Sequence, residues 1–239
     1  MRETATVLRE ACADALALLL PVWCAGCDEP DIALCERCAV ALRPDPRCRI
    51  VDAPGGGVEV WSGLAFEGVA ARVLRAIKED GRTRLATALA PALAAALDRA
   101  GAAGCVLVPM PTSRAAYRRR GFRMPELLLR RAGRRGRRIL RLARRTDDQR
   151  GLDRDARRRN VTGSIIASMP AAPAPEAGAR RGGSGAVGSA AGLRVVVVDD
   201  VVTTGASLAE AVRAMRAAGV EVVAAVTVAA TPRRRGTPG

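Results

Sequence analysis

The chain has no histidine, and aromatic residues make up only 2% of its 239 positions. Without an imidazole, neither Cys12 nor Cys105 has a base to form a nucleophilic couple with. Nothing marks a general base or a glutamine amidotransferase. The shortage of aromatic rings leaves the core to small aliphatic side chains, since 49% of residues are apolar and Ala and Val dominate them. No long apolar run occurs either. Ala15–Val22 is far shorter than the roughly 20 residues a spanning helix needs. Glu3, Glu10 and Asp14 precede that run, which does not suit a secretory leader. Seven cysteines are an odd number for a disulfide framework, and a chain of this length is a poor candidate for one. Together these absences predict a cytoplasmic protein.

Basic residues, by contrast, are in large excess: 39 against 24 acidic, a formal charge of +15. Such a field attracts polyanions, from nucleotides and pyrophosphate to nucleic acid. Much of the excess falls between Arg114 and Arg159. Arginine outnumbers lysine and alanine is abundant, the mark of a GC-rich coding sequence, so a solvated surface explains the same run.

Hydrophobic periodicity divides the chain. Thr4–Leu20 reads as a short helix, and Cys24–Cys38 as a compact cysteine knuckle. Pro44–Gly57, with its prolines and Gly55-Gly-Gly57, reads as a loop. A strand is expected at Val58–Phe66, followed by helices at Val69–Lys78 and Leu85–Ala100. A buried strand at Val106–Val108 stops at Pro109-Met-Pro111. Ser113–Arg131 is expected to be helical and broken near Gly121 and Pro125, with a further strand at Arg137–Leu142. Thr146–Thr162 is polar, without periodicity, and reads as an exposed loop. Residues 167–192 are rich in Ala, Gly, Pro and Ser and predict a disordered insertion. Leu193–Val198, Ser207–Ala218 and Val220–Ala230 then form a βαβ unit, ahead of the Arg233–Arg235 tail.

The sharpest signal is Val198-Asp-Asp-Val-Val-Thr-Thr-Gly-Ala-Ser207. An apolar strand delivers Asp199 and Asp200 to its C-terminal end, where open α/β sheets bind ligands. A turn of small residues leads into a helix N-terminus, whose unpaired N–H groups suit a phosphate. Gly205 lets the backbone approach an anion, and Thr203, Thr204 and Ser207 add hydroxyls. Two acids beside a phosphate site make sense for a sugar phosphate: the carboxylates accept from ribose hydroxyls while the loop holds the 5′-phosphate. Helix caps alone would not need this pattern. No Gly-Lys-Ser/Thr follows, so this is not a Walker loop.

Cys24-x2-Cys27-x7-Cys35-x2-Cys38 has the spacing of a tetrahedral Zn²⁺ site, closed and structural, with four reduced buried thiols as the other reading. Cys48 has no partner nearby for a second site.

Residues 198–207 resemble the signature by which type I phosphoribosyltransferases bind phosphoribosyl pyrophosphate (PRPP). The knuckle, Phe66-Glu-Gly68 with Ile77-Lys78, Val108-Pro-Met-Pro111, Arg120-Gly-Phe122, Gly151-Leu-Asp-Arg154 and Arg157-Arg-Arg-Asn160 follow in the order of the ComF-type, amidophosphoribosyltransferase-like family associated with competence and DNA uptake. The resemblance implies an α/β type I phosphoribosyltransferase fold, a parallel sheet flanked by helices, over 58–166 and 193–232. A small zinc-ribbon-like module with four cysteine ligands would occupy 1–57, and 167–192 would be the insertion. It assigns PRPP to Asp199, Asp200, Thr203, Thr204, Gly205, Ala206 and Ser207. It makes Thr112, Ser113 and Arg114 a pyrophosphate loop, and 146–160 a lid bearing Arg157, Arg158 and Arg159. The implied cofactors are Mg²⁺ with PRPP and structural Zn²⁺. After Arg-Gly-Phe the family continues Asn-Gln, where this chain has Arg123-Met124, so the acceptor stays open. Two functions follow: transfer of phosphoribose to a nitrogen nucleophile with release of pyrophosphate, or a non-catalytic PRPP sensor and accessory protein binding single-stranded DNA through its arginines, with competence or recombination proteins as partners.

Overall fold

In the computed structural model, residues 22–143, 163–168 and 192–232 are described. The expected helix at Thr4–Leu20, the segment carrying Arg157, Arg158 and Arg159, nearly all of the 167–192 insertion and the Arg233–Arg235 tail lie outside them.

The molecule is α/β, as the resemblance implied. Five strands, β1 (Arg47–Val51), β2 (Val58–Ala65), β3 (Val106–Pro109), β6 (Arg194–Val202) and β7 (Glu221–Ala230), form one sheet in the order β1-β2-β7-β6-β3. Its strand pairings are parallel except that of β1 on β2, which is antiparallel at the edge. Val195–Val198 are completely buried, which fits a strand at the sheet centre with both faces covered. Helices α2 (Gly68–Glu79), α3 (Ala86–Arg99) and α5 (Met124–Arg131) cover one face, where Leu74, Leu89 and Leu128 meet Val196 and Val198. Helix α6 (Ala206–Ala217) covers the other, packing Leu208, Val212 and Met215 on Val195 and Val197.

Small side chains bring the layers unusually close. A Cβ at Gly63 on β2 would stand 2.1 Å from the carbonyl oxygen of Ala92 on α3, so only glycine fits there. The buried hydroxyls of Ser62 and Thr227 satisfy each other at 2.7 Å, so no polar atom of this pair is stranded in the core.

Three expectations need correction. Pro44–Gly57 is not all loop: Arg47–Val51 pairs with β2 and joins the main sheet on the N-terminal side of residue 58. An edge strand pairs on one side only, so it lacks the double-faced apolar pattern that marks an inner strand. The central strand expected at Leu193–Val198 continues to Val202, which puts both aspartates inside it. The strand expected from Arg137 begins only at Leu140: β4 (Leu140–Leu142) pairs with β5 (Ile165–Ala167) in a separate two-stranded sheet, which therefore takes up Ala167, the first residue of the expected insertion. The Ser113–Arg131 helix does break at Gly121, giving α4 (Arg114–Arg120) and α5.

The knuckle precedes the sheet and contains helix α1 (Glu36–Val40). It is tied to the sheet layer by Arg82, whose guanidinium donates to the Trp23 and Ala33 carbonyls. Among the described residues, no helix is long and apolar enough to cross a membrane.

Candidate functional site

Asp199 and Asp200 are neighbours near the end of β6, but their surroundings differ. Val196 and Val198 belong to the α2–α3 face, and Asp200 follows them there. Its Oδ2 lies 2.8 Å from the Lys78 ammonium, at the end of α2, and neither side chain is more than a quarter exposed. Asp199 precedes Asp200 in the strand, opposite Thr227 of β7. Desolvation there, then the adjacent Asp200 charge, push its carboxyl up to about 8, against the opposing N–H of Asp200 on its Oδ1 at 2.8 Å and the pull of Lys78. The strand end therefore carries one ion-paired carboxylate and one carboxyl held well above the ordinary carboxylate range.

Beyond Val202 the chain turns through Thr203-Thr-Gly205 into α6. Gly205 is the N-cap, at φ 90°, a left-handed conformation that L side chains rarely adopt. Among the described residues, the N–H groups of Thr204, Gly205 and Ser207 have no acceptor, while Ala206 donates to Thr204 Oγ1 at 3.4 Å. Unpaired donors at the N-terminus of a 12-residue helix form an anion cradle. The structure adds a separate reason for Gly205: a Cβ there would strike the methyls of Val51 on β1 at 2.8 Å. Contact with the neighbouring hairpin and the left-handed backbone together demand the glycine.

Strand β3 runs parallel beside β6, with Pro109 opposite Val198 and the Met110 N–H on the Val198 carbonyl at 2.8 Å. The Thr112, Ser113 and Arg114 turn thus leaves the sheet beside the aspartates. Ser113 Oγ accepts from Ala116 N at 3.1 Å and serves as the helix cap, while Arg114 stays exposed. Met124 is buried in the core, and the Arg123 guanidinium stacks 4.3 Å from the centre of the Tyr117 ring.

Sequence reasoning missed the hairpin contribution. Arg49 on β1 donates from Nη2 to the Thr203 carbonyl at 2.7 Å. Arg216 on α6 donates to the carbonyls of Pro54 and Gly56 at 2.9 and 2.6 Å, tying the hairpin turn to the loop's helix. Arginine is so common here that neither stood out, and only strand pairing brings residue 49 to residue 203. Glu210 was missed too: it is buried, pairs with Arg213 at 2.7 Å and accepts from the Gly163 N–H at 2.7 Å, so α6 also holds the foot of the β4–β5 sheet.

Cys24, Cys27, Cys35 and Cys38 come together with all four sulfurs within 4.8 Å of one another. Zn–S bonds of about 2.3 Å require sulfurs about 3.8 Å apart; Cys27 and Cys35 are 3.6 Å apart. Burial opposes ionisation of Cys24, yet the N–H groups of Cys35 and Gly26, at 3.3 and 3.4 Å from its sulfur, outweigh it and bring the thiol down to about 6. Burial and the neighbouring thiols push Cys38 well above the usual range. Four crowded thiols cannot all ionise without a cation, and the set suits structural zinc.

Residues 142–238 match the model of the phosphoribosyl transferase domain. Over those residues the chain is similar to that domain, and the match contains both aspartates and the loop but neither Lys78, β1, the turn after β3 nor the knuckle. No curated protein matches the chain.

Proposed function

We propose that this chain binds PRPP at the end of β6, as a ComF-type protein, and transfers its phosphoribosyl group to a nitrogen nucleophile with release of pyrophosphate. The observation that carries the reading is one geometry: two adjacent carboxyl groups near the end of one buried strand, followed by a short turn into unpaired N–H groups at a helix N-terminus. The loop, Thr203 to Ser207, takes the 5′-phosphate. Asp199 and Asp200 accept from the ribose hydroxyls, and the turn Thr112, Ser113 and Arg114 faces the pyrophosphate. Oxygen donors at the strand end suit a hard cation, and Mg²⁺ bound with PRPP supplies neutralisation of the departing pyrophosphate. In this reading Arg157, Arg158 and Arg159 supply charge for the leaving pyrophosphate.

The test is pyrophosphate release from PRPP and Mg²⁺ with ammonia, glutamine and free bases offered in turn, alongside calorimetric binding of PRPP. Release with one acceptor supports transfer. Tight binding without release leaves the sensor reading in its place, and absence of binding removes both.

A second reading, single-stranded DNA as partner in uptake or recombination, is favoured by one basic stretch of the chain. Arg118, Arg119, Arg130, Arg131, Arg135 and Arg137 are all exposed, and Glu126 is the one acid between residues 114 and 141. Phosphate neutralisation by such a stretch makes affinity fall steeply with salt. Retention of single-stranded DNA that ignores salt contradicts it.

A further inference from the structure

The loop from Val201 to Ser207 contains no cation, and neither does the chain from Val195 to Val212. Lys78 is engaged with Asp200. The charge that does reach the loop comes from far off in sequence, through Arg49 on the edge strand β1.

The position of that contact is informative. The Arg49 guanidinium holds the carbonyl of Thr203 at 2.7 Å, and this carbonyl belongs to the peptide that carries the Thr204 N–H. In a trans peptide the C=O and N–H point in opposite directions. Fixing the carbonyl on Arg49 therefore fixes the Thr204 N–H on the far edge of the same plane, where it has no acceptor among the described residues. A charged donor on the oxygen also polarises the amide and strengthens its N–H as a donor.

Two further contacts keep β1 in place. Val51, two residues along the strand, is buried against Gly205, and Arg216 binds the hairpin turn from α6. Arg49, Val51 and Arg216 thus fasten the hairpin to the loop and its helix at three places.

We infer that Arg49 is a positioning residue of the phosphate loop, acting through the Thr203–Thr204 peptide on the 5′-phosphate of the ligand. The inference rests on the PRPP reading above and adds a residue outside the segment that matches the phosphoribosyl transferase domain. It makes the loop's affinity depend on the N-terminal hairpin.

The experiment compares wild type, Arg49→Met and Arg49→Lys in the full chain by calorimetry, with PRPP, ribose 5-phosphate and pyrophosphate as separate probes, each with Mg²⁺. Arg49→Met is expected to lose about 10- to 100-fold for PRPP and ribose 5-phosphate, the scale of a charge-assisted hydrogen bond, and nothing for pyrophosphate. Its Thr204 amide resonance should move upfield as the polarisation is lost. Arg49→Lys, which keeps the charge, should recover part of the affinity; should Arg49→Met not fold, the lysine variant alone must still show the phosphate-selective loss. Equal loss for all three probes, or unchanged affinity with a shifted melting temperature, overturns the inference in favour of a merely structural arginine. A wild type that fails to bind PRPP removes the parent reading; a wild type that binds while both variants match it removes only this one.

Discussion

The Lys78 ammonium and the Asp200 carboxylate meet at 2.8 Å between the end of α2 and the ligand edge of the sheet, both largely withdrawn from water. An ion pair in that setting contributes less to net stability than its attraction suggests, because both charges are partly desolvated. Breaking it is another matter, since the survivor keeps its desolvation cost. Lys78→Met is therefore expected to destabilise by about 1–3 kcal/mol in urea titration, and Asp200→Asn by a similar amount. The double variant should cost less than the sum, with a coupling of about 1–2 kcal/mol. Additive losses would mean the two side chains do not act as a pair. Asp200→Ala should also abolish PRPP binding while the chain stays folded, read by calorimetry and circular dichroism.

Asp199 gives a pH signature of definite sign. Its carboxyl is raised from an ordinary value near 3.8 to about 8 in the folded chain. Between those values the unfolded chain has lost the proton that the folded chain retains. The contribution is thus fully present below about pH 4, falls as pH rises through this window, and is gone above about pH 8. Asp199→Asn removes the dependence. Melting temperatures across pH 5–9 should fall more steeply for wild type than for the variant, with the variant the more stable at pH 8 by about 1–3 kcal/mol. Parallel curves would contradict the shift.

The cysteine cluster predicts metal content directly. Purified protein should carry one zinc per chain, lost on substitution of Cys24, Cys27, Cys35 or Cys38 by serine and retained on substitution of Cys48 or Cys105. Zinc stabilises such sites by about 10 kcal/mol or more, so removal should unfold the knuckle. The sheet has its own two cores and should keep its far-ultraviolet signal. Elemental analysis and thiol titration before and after chelation check both parts.

The parts legible in the sequence are those whose reason is local. The apolar run before Asp199, the alanine-rich helix after Ser207 and the cysteine spacing each declare themselves within a dozen residues, and the α/β architecture follows from them. What sequence reasoning missed depends on pairing across the chain. Arg47–Val51 looks like loop because it is an edge strand flanked by prolines and glycines. The different settings of Asp199 and Asp200 were invisible in the sequence, because burial and the approach of Lys78 set the two carboxyls apart. Lys78 was one cation at a helix end until α2 packed on the sheet. Arg157, Arg158 and Arg159 lie outside the described residues, so their assignment stays with the sequence.

Gly205 tests how the hairpin and the loop depend on each other. Alanine there meets two separate penalties. One is conformational: φ 90° costs an L residue roughly 1–2 kcal/mol. The other is steric, because the new methyl would lie 2.8 Å from the Val51 methyls. Truncating Val51 relieves the second penalty and leaves the first. Val51→Ala alone opens a small cavity against the helix face and should cost about 1–2 kcal/mol. The Val51→Ala, Gly205→Ala pair should therefore be more stable than the two single losses added together, because the new methyl occupies part of the space that Val51 vacates. PRPP affinity should not recover with it, since Gly205 must still be displaced from its left-handed conformation, and the Thr204 and Ser207 N–H groups move with it. Stability regained together with affinity would mean that steric overlap with the hairpin alone accounts for the glycine; stability regained without affinity would show that the backbone conformation itself holds the phosphate.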